Sequence, residues 1–87
     1  MSEIMSARIH LTGHVESPDF PRWIARHAHK LGLDHVTTEQ VPSGLQVTAV
    51  GAEEMLQALA LGMSLGPESV LVETMTITTA ACARQGR

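Results

Sequence analysis

The chain has no tyrosine, a single phenylalanine and a single tryptophan. Platforms for single-stranded nucleic acid stack bases on exposed aromatic rings, so a nucleic-acid partner is not expected. Basic residues are also scarce: six Lys and Arg face nine Asp and Glu, for a formal net charge of −3. No global positive field exists to draw in a phosphate backbone or an anionic membrane. Cys82 is the only cysteine, which excludes an internal disulfide and suits a reducing compartment. No apolar run approaches the ~20 residues that cross a bilayer. Met1 to Ser6 lack the basic and apolar regions of a signal peptide. The expectation is a cytoplasmic protein without a membrane partner.

What is present is a globular composition, 44% hydrophobic and 17% charged over 87 residues. This suffices for one domain, 1–87, with an ordered core over about 7–78 and a frayed tail over 79–87. With so few rings, the core must come from Leu, Val, Ile, Met and Ala. A domain this size buries only about 60–70% of its unfolded surface. A monomer or a weak homodimer is expected, and a Met- and Leu-rich second helix offers the surface for the latter.

The pattern along the chain predicts six elements. Ala7, Ile9 and Leu11 alternate with Arg8, His10 and Thr12 as a strand that Gly13 breaks. Ser17-Pro18-Asp19 is turn chemistry. Pro21 suits the first position of a helix and makes Phe20 its boundary. Ile24, Ala28 and Leu31 form that helix's apolar stripe, and Gly32 ends it in a left-handed cap onto which Leu33 folds back. His35 to Val41 is a second strand. Pro42-Ser43-Gly44 turns it into a third, where Leu45, Val47 and Ala49 alternate with Gln46 and Thr48. A loop begins at Gly51. Glu53 and Glu54 then open a second helix with Leu56, Leu59, Ala60 and Met63 on its buried side. Gly66-Pro67 stops it, and Val70 to Ile77 is the last strand. The order β-α-β-β-α-β predicts an α+β, ferredoxin-like sandwich: a four-stranded antiparallel sheet with both helices on one face.

At the first loop the residues resemble a known family, the acylphosphatases. Their first strand leads into the signature Gly-x-Val-Gln-Gly-Val-x-Phe-Arg at the start of a helix. The matching stretch is Gly13-His14-Val15-Glu16-Ser17-Pro18-Asp19-Phe20-Pro21, in which Gly13, Val15 and Phe20 agree without gaps. Ile24, Ala28 and Leu31-Gly32-Leu33 keep the spacing of the family helix. Gly44 to Gly51 is similar to its third strand, and Leu65-Gly66-Pro67 with Val72 to its final segment. The resemblance runs from about Ala7 to Ile77. It implies hydrolysis of acyl phosphates to a carboxylate and phosphate, with no metal or cofactor. The partner it implies is a small acyl phosphate or a phosphate anion.

The departures fall on the chemistry that the resemblance implies. The signature arginine, which grips phosphate, is Pro21 here. The asparagine that positions water aligns with Glu39 without a gap, or with Gln40 if one residue is inserted. The phosphate loop is His14, Val15, Glu16, Ser17, Pro18, Asp19 and Phe20. In it, Pro18 removes an N–H donor, and Glu16 and Asp19 bring negative charge to an anion site. A like charge at ~4 Å costs about 1–4 kcal/mol at effective dielectrics of 80 to 20. Arg22, one residue later, is the substitute phosphate ligand, and Gln40 the substitute that orients water through its amide. The other reading makes Arg22 a solvated side chain beside Asp19, and Gln40 an ordinary strand residue. Two functions follow: a hydrolase acting through Arg22 and Gln40, or a non-catalytic binding or assembly module on the same scaffold.

The remaining features read more plainly. Arg22, Arg26 and Lys30, with His29, make a basic stripe on the first helix, expected to be a solvated outer face. His10, His14, His27, His29 and His35 lack the spacing of a metal site. Cys82 has no positioned base near it in sequence. Trp23 is expected to pack at the sheet edge.

Overall fold

A computed structural model describes residues 4–33, 35–67 and 70–81. Six elements follow one another: β1 (Ile4–His14), α1 (Asp19–Lys30), β2 (His35–Val41), β3 (Gly44–Ala52), α2 (Glu53–Leu65) and β4 (Leu71–Ala81). The strands form one sheet in the order β2-β3-β1-β4, with every neighbouring pair antiparallel. This is the expected ferredoxin-like sandwich. No helix among the described residues is long and apolar enough to cross a membrane.

Alternation builds the inner face of the sheet. Ala7, Ile9 and Leu11 pair across to Ala49, Val47 and Leu45, and all six are buried. Phe20, Ile24 and Ala28 from α1 and Leu56, Leu59, Ala60 and Met63 from α2 complete the core. Each large aliphatic side chain fully removed from water contributes about 1.5–3 kcal/mol. No polar or charged side chain is buried among the described residues, so the core carries no desolvation penalty from such groups. The C-terminus of α1 closes as its Leu-Gly-Leu sequence predicts. The N–H of Leu33 bonds the carbonyl of Ala28, and that of Gly32 bonds His29, each at 3.0 Å. Gly32 sits at φ +80° and Leu33 is buried. This is a Schellman motif with its apolar contact.

Several boundaries differ from the sequence pattern, each for a physical reason. Gly13 does not break β1. At φ +119° it lies where the β1–β4 register slips between Thr12 and Gly13, and pairing resumes through Gly13 to Val72 and His14 to Leu71. β1 also starts earlier, at Ile4, and Gly51 lies inside β3, because Ile4 and Met5 pair with Ala52 and Gly51. α1 starts at Asp19 rather than Pro21. A proline is tolerated anywhere in the first turn, where N–H groups have no partner within the helix. β4 runs through Thr79 to Ala81, where fraying was expected, because these residues pair with Ala7, Ser6 and Met5. Residues 82–87, Cys82 included, lie outside the described residues. Trp23 is partly buried against the core. It lies near Phe20, with ring centroids 6.0 Å apart, and stacks on His27 at 5.2 Å. His27 in turn abuts Gly62 of α2 so closely that a Cβ there would strike its ring.

Candidate functional site

The segment His14 to Phe20 joins the end of β1 to the start of α1. Val15 and Phe20 turn inward and are 0% exposed, pinning both sides of the loop to the core. Gly13, just before it, faces the backbone of β4: a Cβ there would overlap the Leu71 carbonyl oxygen and lie 2.8 Å from the Glu73 nitrogen. The three positions that agree with the family signature therefore build the fold. Between them, His14, Glu16, Pro18 and Asp19 are exposed and Ser17 is half-buried.

A helix N-terminus is a ready anion site because its first N–H groups lack partners and its dipole is positive there. In α1 those donors are spent. Pro18, at the N-cap, and Pro21, in the first turn, have no N–H at all. Asp19 donates its N–H to Ser17 Oγ at 3.3 Å. Phe20 donates to the Ser17 carbonyl at 3.1 Å. Upstream, the N–H groups of Val15, Glu16 and Ser17 have no partner among the described residues. Of these residues Val15 is shut off from solvent, which leaves the N–H groups of Glu16 and Ser17 to meet an anion. The carboxylates of Glu16 and Asp19 belong to the same loop.

The sheet register separates Glu39 from Gln40. Gln40 pairs with Leu45 and so shares the helix-covered face; Glu39 pairs with Gln46, on the opposite face beside His10. Gln40 Nε2 donates to the Val15 carbonyl at 3.5 Å, a long bond that lays the amide against the loop. Arg22 is exposed and lines a shallow depression on the flank of α1 with Asp19, Trp23 and Arg26. The structure thus brings Gln40 to the loop and places Arg22 on the outer flank of α1, in one depression with Asp19 and Arg26. Two features escaped the sequence reading. Ser17 binds the first turn of the helix, signalled by its place two residues before Asp19. On the open face, His10 Nε2 lies 2.9 Å from Ser43 Oγ, and nothing in the local sequence signals that meeting of two distant residues.

Comparison with known proteins extends the description. A scan against protein-family models finds no match to the sequence, and neither does a search of curated proteins. Solved structures do match. An acylphosphatase from Bacillus subtilis superimposes with a TM-score of 0.82 at 21% identity, covering 91% of this chain and 88% of its own. An acylphosphatase from Coxiella burnetii gives 0.82 at 15% identity, covering 95% and 87%. Full-length HypF, in a phosphate- and nucleotide-bound form, gives 0.83 at 18% identity; the match covers 94% of this chain but 11% of HypF. At these identities the likeness establishes the fold, which is that of the acylphosphatases.

Proposed function

We propose that this chain is an acylphosphatase-family scaffold in which hydrolysis of acyl phosphates is weak or lost, and that it serves as a binding or assembly module. One observation carries the reading. At the N-terminus of α1, Pro18 and Pro21 have no N–H, and Ser17 takes the N–H groups of Asp19 and Phe20. A reaction that needs no metal depends on positioning and on donors aimed at the developing charge. Here half of the loop aims none. The position of the phosphate-gripping arginine is Pro21, and Glu16 and Asp19 oppose an incoming dianion. The positions that agree with the signature hold the backbone and the core, which fits a scaffold that outlasts its chemistry.

The hydrolytic reading is favoured by one contact, that of Gln40 with the Val15 carbonyl. In it, Gln40 orients water, Arg22 reaches back to the phosphate, and the N–H groups of Glu16 and Ser17 hold the remaining oxygens. The substrate would be a small acyl phosphate.

A hydrolysis assay with benzoyl phosphate, beside Arg22→Ala and Gln40→Ala, separates the two. Little or no turnover above the spontaneous rate is expected, unchanged in either variant. Turnover that disappears in Arg22→Ala would refute the loss of chemistry. Titration with inorganic phosphate, followed by amide shifts over Val15 to Phe20, should leave the Asp19 and Phe20 resonances in place.

A further inference from the structure

Charge is distributed unevenly over the described residues. They include four Lys and Arg, and three of these, Arg22, Arg26 and Lys30, stand on α1. The fourth, Arg8, lies on the open face of the sheet, level with Thr48 and Thr78. α2 and β4 hold Glu53, Glu54 and Glu73 and no cation. On α1 the three cations are exposed, with exposed His29 among them, and Asp19 is the one carboxylate of the helix. Among the described residues no ion pair neutralises Arg22, Arg26 or Lys30.

Taken alone, the arrangement works against the helix. Like charges four residues apart repel, and they occur twice here, Arg22 with Arg26 and Arg26 with Lys30. Arg22 also stands towards the positive end of the helix dipole. Arg22 and Arg26 line a depression of about 180 Å³ together with Asp19 and Trp23. Arginine and tryptophan are the side chains most enriched among the anchors of protein contacts.

We infer that this face of α1 docks an extended acidic segment of a partner protein, with carboxylates at alternate positions. Spacing carries the match. Cations four apart on a helix are separated by ~6 Å along its axis. Side chains two apart on an extended chain share a face and are separated by ~6.6 Å. A Glu-x-Glu-x-Glu run therefore sets one carboxylate against each of Arg22, Arg26 and Lys30, over a span of about 12 Å. The planar fork of an arginine meets a carboxylate through two parallel hydrogen bonds. Nucleic acid fits less well, because a longer polyanion leaves the stripe at the start of α1 and meets Asp19 and Glu16. Salt screens exposed charges beyond ~8 Å, so this local stripe, not the net charge of −3, decides what docks. The inference rests on the binding-module reading and names the partner's chemistry. Its ion pairs are exposed, so the contact is weak and reversible.

Titration of the isotope-labelled full chain with a blocked Glu-Ser-Glu-Ser-Glu peptide, followed by amide shifts, tests it. Shifts centred on α1 are expected, saturating with a Kd of about 0.1–1 mM at low salt and lost at about 0.3 M salt. Arg26→Gln should weaken binding about threefold or more. Arg8→Gln makes the same change in net charge away from the helix and should leave binding unaltered. Both side chains are exposed, and circular dichroism checks that each variant is folded. A peptide with its three glutamates adjacent should bind less tightly. No shift up to about 5 mM peptide would overturn the inference. So would equal losses in the two variants, or equal binding of the adjacent-glutamate peptide. Tighter binding of an oligothymidylate would overturn it in favour of nucleic acid. The two readings fail separately: Arg22-dependent hydrolysis of benzoyl phosphate would refute the binding module, whereas absent peptide shifts would refute only the partner assigned here.

Discussion

Gly13 offers the sharpest test of why the signature residues are present. If it is kept for the fold, Gly13→Ala must damage stability whatever phosphate does. Two effects add. The backbone sits at φ +119°, which costs an L-residue about 1–3 kcal/mol. The new Cβ would also overlap the Leu71 carbonyl oxygen and press on the Glu73 nitrogen at 2.8 Å. Both are backbone atoms of the paired strand, and relief means opening the end of the β1–β4 ladder. Overpacking of this kind costs about 1–3 kcal/mol more. Gly32→Ala isolates the first effect, because Gly32 has φ +80° and nothing within 4 Å of the added atom. A domain of this length has a total stability of about 4–13 kcal/mol. Urea denaturation with m near 1–1.5 kcal/mol/M should show the Gly13→Ala midpoint falling by roughly 3 M, against about 1.5 M for Gly32→Ala. Equal losses in the two variants would refute the steric argument, and with it the claim that Gly13 serves strand pairing.

Three further outcomes follow from named contacts. Ser17→Ala removes the acceptor of the Asp19 N–H and should lower stability by about 0.5–1 kcal/mol. The same change should allow the freed Asp19 amide to shift on phosphate titration; an unmoved amide would mean the donor was never the limiting factor. Phe20→Ala empties a 0% exposed site and should cost about 3–5 kcal/mol by chemical denaturation, where a loss under 1 kcal/mol would deny that Phe20 anchors the loop. Gly62→Ala drives a methyl into the His27 ring, a movable side chain. A modest loss in stability, with a change in Trp23 fluorescence as the Trp23–His27 stack shifts, is expected; unchanged emission would contradict that coupling.

Much of the architecture was written in local patterns. Period-two alternation located β1 and β3 and their buried faces, and Leu31-Gly32-Leu33 specified the end of α1 without help from any tertiary contact. These are short-range effects, set by steric preference and by which side chains shun water. The loop from His14 to Phe20 was likewise legible as altered, since Pro18 and Pro21 lack an N–H wherever they stand. Tertiary structure decided the rest. Whether Glu39 or Gln40 faces the loop depended on pairing register, and a slip of one residue exchanges the two faces of a strand. That Gly13 continues β1, and that Thr79 to Ala81 pair rather than fray, required a partner strand some sixty or seventy residues away. The groove that Ile77 and Met75 share with Glu53, Gln57 and Leu61 also emerged only in three dimensions. An alternating strand marks its inner face, but the fold determines whether a helix reaches far enough to cover it.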